Sequence, residues 1–364
     1  MLATLFNRLT QYRFAKTSQR IKWEVRRKNW QQAAELVKTI DKSKQSWLHR
    51  HINECAKNNN AFQQVFMNRE NVALRISEVS KGNKLLSTTQ IYGGMVSVGV
   101  FAHKIQEQSK NKTIILEKIY DKKLKKLGAL EILLFEEIDH KRLCAPKLLS
   151  SVDRDNFLSV FYEYIHQNNI ATAKAKIFPK IRKGILEKAL FSLWTVPPTK
   201  NLLLNTALIS PKRLSKTESM LSKQNITNLY NAVKSPKDKR LVEELYLNQE
   251  HCIEKFKSLP AFIMHGDLYN FSNIIIQSRG QFSVIDWDKW YVSHIGGGLR
   301  IKPKAFLHAS LSKKIDLFCT NNPCVKPHDI WVNVAIDNLA NCLTQKAWSP
   351  ALEWTKHLSG INKD

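Results

Sequence analysis

Residues 263–288, IMHGDLYNFSNIIIQSRGQFSVIDWD, are the stretch of sequence that decides the fold. The stretch holds a carboxylate at Asp267, an amide at Asn273 that opens the apolar run 274–276, and a second carboxylate at Asp286 after a further apolar run. Five polar or glycine residues separate the two apolar runs, which therefore predict a β-hairpin. Such a hairpin would bring the two carboxylates together although 19 positions separate them.

Three polar residues of this stretch suit phosphoryl transfer. Asp267 can accept a proton from an acceptor hydroxyl, while Asn273 and Asp286 can hold the magnesium ions that neutralise nucleotide phosphates. Each half of the pattern alone is typical of an ordinary turn or an ordinary strand end. Their order along the chain, with the hairpin between them, favours the catalytic interpretation. We interpret His265 as a support of the loop rather than as a base.

The same segment, 263–288, resembles the aminoglycoside phosphotransferase and choline kinase group, whose members share the protein-kinase-like fold. The resemblance implies an ATP-dependent phosphotransferase that uses Mg²⁺, with GTP as the alternative nucleotide. It also implies that Asp267 is the catalytic residue and that Asn273 and Asp286 are the metal ligands. The resemblance covers residues 85–300, specifically at 263–288 and diffusely elsewhere.

The loop after Asp267 departs from the pattern of the family. Four residues usually separate the Asp from the Asn, whereas five lie between Asp267 and Asn273. Ser272 has the expected spacing but carries a hydroxyl, and Asn270 comes too early. We expect Asn273 to be the ligand because it abuts the strand directly, and Asn270 and Ser272 stay as alternatives.

A second departure follows Asp286. Family members usually continue to a Gly-Asp-Pro-like segment, and this chain has HIGGGLRIKPKAF at 294–306 instead. The sequence therefore does not define the wall of the acceptor pocket.

The region ahead of the motif predicts a nucleotide-binding sheet. Three strands are predicted at Leu85–Tyr92, Val96–Ile105 and Thr113–Tyr120. Gly93 and Gly94 occupy the first turn, and Gly99 follows five residues later. A glycine turn can lie close over phosphates because its backbone N–H groups are unobstructed. We expect these glycines to contact the nucleotide.

Lys118 is the candidate phosphate-binding lysine. Strand alternation places it on one face with Leu116, and a lysine that shares a face with core residues needs a partner for its charge. The nucleotide phosphates would be one partner, and Glu131, set among leucines in the next helical segment, would be the other. We predict a Lys118–Glu131 pair. The alternative is an edge-strand lysine that discourages aggregation.

Residues 145–166 continue the resemblance. In the family this segment is the hinge between the two lobes, where backbone groups meet the adenine. The resemblance therefore makes Glu163, Tyr164 and Ile165 candidates for contacts with the base.

The predicted fold class is α+β, in a protein-kinase-like two-lobed fold with a small antiparallel sheet lobe and a larger helical lobe. We divide the chain into three parts. Residues 1–80 form a basic helical extension, 81–165 form the N-lobe with the sheet and one helix, and 166–364 form the helical C-lobe with the catalytic loop and the metal-binding hairpin.

The charge of the chain is strongly positive. Lys and Arg number 57 against 31 Asp and Glu, a net charge of +26 over 364 residues. Residues 1–60 carry 13 of the basic and 4 of the acidic residues, a net of +9. Such a surface attracts polyanions, including nucleic acid, an anionic membrane or an anionic substrate. The six cysteines are scattered and show no zinc-site spacing.

The start of the chain is compatible with a membrane surface, although packing on the protein itself is the favoured interpretation. No run of about 18 apolar residues exists, and the N-terminus lacks the apolar stretch of a signal peptide. Leu2, Leu5, Phe6 and Leu9 could line one face of an amphipathic helix on an anionic membrane, or that face could pack on the protein itself. We expect a cytoplasmic protein, with peripheral attachment to the inner face of the membrane as the alternative.

The sequence is compatible with three functions. The first is an ATP-dependent phosphotransferase acting on a hydroxyl of a small molecule or sugar, with a variant acting on a lipid-linked or lipopolysaccharide sugar at the membrane surface. The second is a kinase-like protein of weak activity that binds nucleic acid through its basic surface, which the retained Asp267, Asp286 and Lys118 disfavour. The third is a protein kinase. Gly266, where a protein kinase usually has Arg, argues against it.

Overall fold

The computed structural model describes most of the chain after residue 68. The described residues are 29–40, 69–80, 82–92, 99–269, 271–278 and 281–361, with the single positions 17, 21, 24, 45, 49, 52, 53 and 56. The chain groups into two compact units. The first comprises residues 1–129 and 148–164, and the second comprises residues 130–147 and 165–364.

The first unit is built on a five-stranded antiparallel sheet. Its strands are β1 (Lys84–Tyr92), β2 (Gly99–Gln106), β3 (Lys112–Asp121), β4 (Leu148–Arg154) and β5 (Phe157–Glu163), in the order β1-β2-β3-β5-β4. Helices α1 (Trp30–Lys38) and α2 (Arg69–Ser80) precede it. The sheet confirms the three strands predicted between residues 85 and 120 within a residue or two where the chain is described.

Glu117 on β3 holds a buried charged cluster together. Its side chain is fully buried, and its carboxylate accepts hydrogen bonds from Arg75 Nε at 2.6 Å and Ser159 Oγ at 2.7 Å, and lies 3.0 Å from His103 Nε2. Burial raises the pKa of Glu117, but the hydrogen bonds to His103 and Arg75 outweigh it and hold the pKa below its ordinary value. Because Arg75 belongs to α2, this cluster attaches that helix to the sheet.

The second unit is mainly helical. Helix α3 (Lys125–Glu137) reaches it from residue 130 onward. Its further helices are α4 (Asn169–Ile177), α5 (Pro179–Leu193), α6 (Lys200–Ile209), α7 (Lys216–Met220), α8 (Lys223–Ala232), α9 (Pro236–Leu247), α10 (Gln249–Ser258), α11 (Ala309–Asn321), α12 (Pro327–Thr344) and α13 (Trp348–Ile361). The sheet-and-helix composition confirms the predicted α+β class.

Two short antiparallel strand pairs carry the motif region. Strands β6 (Ala261–Met264) and β9 (Tyr291–His294) pair with each other, as do β7 (Ile274–Ile276) and β8 (Phe282–Val284). The second pair, with Ile274 opposite Val284, confirms the predicted hairpin. The first pair was not predicted, and it brackets the whole stretch from His265 to Asp286.

The compact units differ from the predicted three-part division, which stays a prediction. Residues 1–80 are grouped with the sheet rather than apart from it, and residues 130–147, which the sequence places with the sheet, are grouped with the second unit. Leu130, Leu134 and Ile138 are almost completely buried and belong to the hydrophobic core of the second unit. Burial of this apolar helix face therefore decides the grouping of the segment.

No helix in the described part of the chain combines the length and the apolar character needed to cross a membrane. The predicted amphipathic face at Leu2, Leu5, Phe6 and Leu9 lies outside the described residues.

The Glu117 cluster predicts a large, specific stability effect. Glu117→Gln leaves Arg75, only 3% exposed, buried without its charged partner, and we expect the free energy of unfolding to fall by about 3–5 kcal/mol. The matched control is Glu78→Gln, because Glu78 pairs with Arg154 at the surface, and we expect it to cost less than about 1 kcal/mol. Urea unfolding of the full chain measures both, and equal losses would contradict the assignment.

Candidate active site

The buried ring of His265 joins the two halves of the motif. Its Nε2 lies 2.9 Å from the carbonyl oxygen of Ile285, and its Nδ1 accepts a hydrogen bond from the backbone N–H of Asp267 at 3.1 Å. The neutral ring therefore carries its proton on Nε2. Since Ile285 precedes Asp286, one side chain fixes the backbone beside both carboxylates.

The surroundings of His265 keep it neutral. The ring is fully buried and packs edge-to-face on Trp287, with 4.7 Å between ring centroids. Burial lowers its pKa from 6.5 to about 4, although the charges of Asp286 and Asp267 act in the opposite direction. His265 is thus a support of the loop, as the sequence suggested.

Asn273 reaches back to the loop that carries Asp267. Its side-chain Nδ2 donates to the backbone oxygen of Asp267 at 3.1 Å, and its own backbone oxygen accepts from the N–H of Ile285 at 2.8 Å. The residue ends a short 3₁₀ turn, Phe271–Asn273, and is 5% exposed. Asn270 and the side chain of Ser272 lie outside the described residues, so the choice between the three ligand candidates stays a prediction.

Asp286 has an unusual backbone. Its φ and ψ are 70° and 56°, in the left-handed region that few residues other than glycine adopt. Its side chain is exposed, whereas the following Trp287 is buried. Strained backbone of this kind is concentrated at functional sites. In this turn an exposed aspartate directly precedes a buried tryptophan.

Gly266 is required by close packing. A Cβ atom on this residue would lie 2.0 Å from the backbone oxygen of Lys289, in the 3₁₀ turn Trp287–Lys289 that follows Asp286. Any side chain would push that turn away. The glycine of the His-Gly-Asp sequence therefore lets the two segments that carry the carboxylates touch.

Glu131 also contacts this turn. Its Oε1 accepts a hydrogen bond from the backbone N–H of Trp287 at 3.2 Å, and the neighbouring Leu130 accepts one from Trp290 Nε1 at 2.8 Å. Helix α3 thus holds the segment after Asp286 from its other side. The predicted Lys118–Glu131 pair stays a prediction, because the two residues belong to different units.

The other predicted nucleotide-binding residues lie on the first unit or at its boundary. Lys118 is 7% exposed on β3, and Gly99 is buried at the start of β2. Gly93 and Gly94 lie outside the described residues. Glu163 ends β5 and is exposed, and the chain passes from the first unit to the second between Tyr164 and Ile165. Their contacts with a nucleotide stay predictions.

The motif residues fit a magnesium site. Mg²⁺ takes oxygen ligands, and the protein usually supplies one or two carboxylates among them. Asp286 offers an exposed carboxylate, and Asn273, whose Nδ2 is engaged by the loop, is left with its amide oxygen as a ligand. Among the described residues, no group of three or more His, Cys, Asp or Glu forms a competing metal site.

A buried polar network fixes the segment that follows β9. Asp337 on α12 is fully buried; its Oδ2 accepts from Arg300 Nη1 at 2.6 Å and from the backbone N–H of Gly298 at 2.8 Å. The N–H of Arg300 donates to Tyr269 Oη at 2.7 Å. The sequence reasoning missed this network, which anchors residues 298–300 to α12 and to Tyr269.

Positive charge gathers beside this network. Lys216 Nζ lies 3.9 Å from the centre of the Tyr291 ring, and none of the ion pairs of the described residues includes Lys216. Burial, followed by the charge of Arg300, lowers the pKa of Lys216, and Arg213 and Lys289 contribute in the same direction. Asp337 is the one carboxylate among the causes of this shift.

Comparison with known proteins gives structural similarities only. No family model matches the chain, and no curated protein matches it. Among solved structures, the ternary complex of streptomycin, ATP and APH(2″)-IIa is 14% identical, with a TM-score of 0.40 over 79% of this chain and 96% of that one. Macrolide 2′-phosphotransferase MphH from Brachybacterium faecium is 11% identical, with a TM-score of 0.38 over 80% and 93%.

A third similar structure is aminoglycoside phosphotransferase APH(3″)-Id from Streptomyces rimosus with ADP and streptomycin. It is 13% identical, with a TM-score of 0.37 over 76% of this chain and 98% of that one.

The low pKa of His265 predicts a pH-dependent stability. Between pH 6.5 and 4 the unfolded chain binds a proton at this residue and the folded chain does not, so the stability falls as the pH falls through this window. The loss assigned to His265 is on the order of 3 kcal/mol.

Urea unfolding at a series of pH values measures this loss. The variant His265→Gln should be less stable at neutral pH, and its stability should change less between pH 6.5 and 4 than that of the original chain. His251→Gln, at an exposed position, is the control and should leave the pH profile unchanged. An identical pH profile for His265→Gln would refute the assigned cause.

Proposed function

We propose that this protein is an ATP-dependent phosphotransferase that moves the γ-phosphate to a hydroxyl of a small molecule or sugar, with Asp267 as the catalytic base. The observation that carries this proposal is the arrangement around the neutral ring of His265. Through that ring, Asp267 is coupled to the strand end that carries Asp286, and Asn273 bonds the backbone of Asp267. This is the set of groups that phosphoryl transfer requires.

Each group has a distinct role in the proposed reaction. Asp267 orients the acceptor hydroxyl and takes its proton, while the hydroxyl oxygen forms a bond to the γ-phosphorus. The bond between that phosphorus and the bridging oxygen breaks, and ADP leaves with the electron pair. Asn273 and Asp286 would hold Mg²⁺, which when bound neutralises phosphate charge. Positioning and charge neutralisation supply most of the acceleration.

The nucleotide contacts are proposed from the sequence. Lys118 would bind the phosphates, and the glycines Gly93, Gly94 and Gly99 would approach them with backbone N–H groups. Glu163 to Ile165 would meet the base mainly through the main chain.

The charges beside the catalytic loop support an acceptor that carries an anionic group. Lys216 lies over Tyr291, which is directly opposite Met264 in the β6–β9 pair, three residues before Asp267. The charge of Arg300 acts on Lys216, but its guanidinium is already paired with Asp337. An anionic sugar derivative would bring counter-charge to Lys216, whereas a cationic aminoglycoside or choline would be repelled. This favours the variant of a lipid-linked or lipopolysaccharide sugar.

The catalytic role of Asp267 predicts a selective loss of turnover. With ATP and a panel of hydroxyl acceptors, Asp267→Asn should lower kcat on the order of a thousandfold because the base is lost. Nucleotide binding by calorimetry should stay nearly unchanged. Asp316→Asn, at an exposed position on α11, is the matched control and should keep full activity. Turnover by Asp267→Asn equal to that of the original chain would refute the mechanism.

The proposed acceptor charge has its own test. Phosphorylated or carboxylated sugars should show a higher kcat/KM than neutral sugars, aminoglycosides or choline. Lys216→Met should raise KM about tenfold for the anionic acceptors, because a charge-assisted contact is lost, and should leave neutral acceptors unaffected. The control is Lys212→Met, at an exposed neighbouring position. Equal kcat/KM for anionic and neutral acceptors would rule out the acceptor charge but not the reaction.

A further inference from the structure

An exposed apolar surface lies on the first two helices of the second unit after the hinge segment. Ile170 is 71% exposed, Ile177 70%, Phe178 53% and Ile181 44%. Large apolar side chains scattered singly at a surface are normal, but contiguous ones mark an interaction site. Every residue from 177 to 184 is exposed. We name these four side chains, with the basic residues among them, the α4–α5 face.

The position of these residues separates them from the core. Ile170 and Ile177 are seven residues apart in α4, so they share one side of that helix. The opposite side faces inward, where Ala175 is fully buried, and Leu186 and Leu190 of α5 belong to the core of the second unit. The exposed residues therefore form an outer side of a well-packed helix pair.

All Lys, Arg, Asp and Glu positions between residues 164 and 186 are basic. Residues 164–186 contain five Lys and Arg and no Asp or Glu, since Glu163 and Glu187 are the nearest acids along the chain. The described side chains of Lys174, Lys180 and Lys183 are exposed. Apolar side chains thus project from a field of positive charge.

We propose that the α4–α5 face binds the surface of an anionic lipid bilayer, with the isoleucines and Phe178 entering the boundary between headgroups and acyl chains. Interfacial helices combine a large apolar face with Lys and Arg, which attract anionic headgroups. A protein partner is a poorer match, because protein interfaces are depleted in lysine. The proposal does not depend on the phosphotransferase reaction.

The α4–α5 face is fixed to the motif region. The backbone N–H of Asn168, just before α4, donates to the oxygen of Ile276 in β7 at 2.7 Å, and the Asn168 side chain caps α4. Arg182 in α5 lies over the ring of Phe271 at 5.4 Å and reaches the backbone oxygen of Tyr269 at 3.5 Å. Binding at this face would therefore set the distance between the catalytic loop and the bilayer.

Flotation of the full chain with vesicles tests the proposal. We expect binding to vesicles of phosphatidylcholine and phosphatidylglycerol in equal amounts, and little binding to phosphatidylcholine alone. The variant I177S/I181S should lower the partition coefficient on the order of tenfold by removing buried apolar area. The variant K174E/K180E should lower it on the order of tenfold at low salt.

Two matched controls separate this surface from the net charge of the chain. Leu247→Ser removes an apolar side chain that is 80% exposed on α9, and K234E/K237E makes the same charge change elsewhere. Both should bind anionic vesicles nearly as the original chain does. Circular dichroism and urea unfolding check that each variant is folded.

Several outcomes would overturn the proposal. The full chain could fail to float with anionic vesicles, or I177S/I181S could bind as well as the original chain. An equal loss in K234E/K237E and K174E/K180E would show that only net charge matters. A change of oligomeric state in I177S/I181S with unchanged vesicle binding would identify the face as a contact between protein chains instead.

Discussion

The site depends on one buried imidazole. His265 accepts from the N–H of Asp267 on one nitrogen and donates to the oxygen of Ile285 with the other. A protonated ring carries a hydrogen on both nitrogens, so its Nδ1 could not accept the hydrogen bond from the N–H of Asp267. Only the neutral form therefore makes both bonds. Burial supplies that form by lowering the pKa. The distance between the two carboxylate-bearing segments therefore follows from the protonation state of a residue that need not touch a substrate.

Close packing then makes the arrangement rigid. Gly266 lies directly against the backbone of Lys289, and Glu131 holds the N–H of Trp287 from α3. Between these contacts Asp286 adopts a left-handed backbone conformation that an unsupported turn would not keep. The order His-Gly-Asp thus has a packing explanation for each member: a ring that bonds two segments, a residue without a side chain where they touch, and the carboxylate that they position.

The parts that could be predicted from the sequence are those that local pattern determines. Two β-branched runs around a polar turn predict the hairpin, which the structure confirms, whereas the roles of Asp267, Asn273 and Asp286 stay predictions. The missed parts depend on partners far apart in the chain. Arg75 lies 42 positions from Glu117, and Asp337 lies 37 positions from Arg300.

Alternation along β3 predicts that Lys118 shares a face with Leu116. Nothing local indicates that its neighbour Glu117 would be fully buried. Likewise, the run Gly296–Gly298 gave no reason to expect that α12 would supply its partner. Burial of charge is decided by tertiary packing, and one sequence does not specify it.

The positions of the basic residues indicate more about partners than the net charge does. A net of +26 spread over a surface indicates only an attraction to polyanions. Around Lys216, however, the charge lies beside the proposed catalytic loop, where Asp337 is already engaged by Arg300 and Gly298. On the α4–α5 face it surrounds exposed isoleucines instead. Arg182 connects the two regions, since it belongs to that face and reaches Tyr269 of the loop. An anionic acceptor at an anionic membrane surface would bring negative charge both to Lys216 and to the α4–α5 face. A freely diffusing cationic acceptor would bring it to neither.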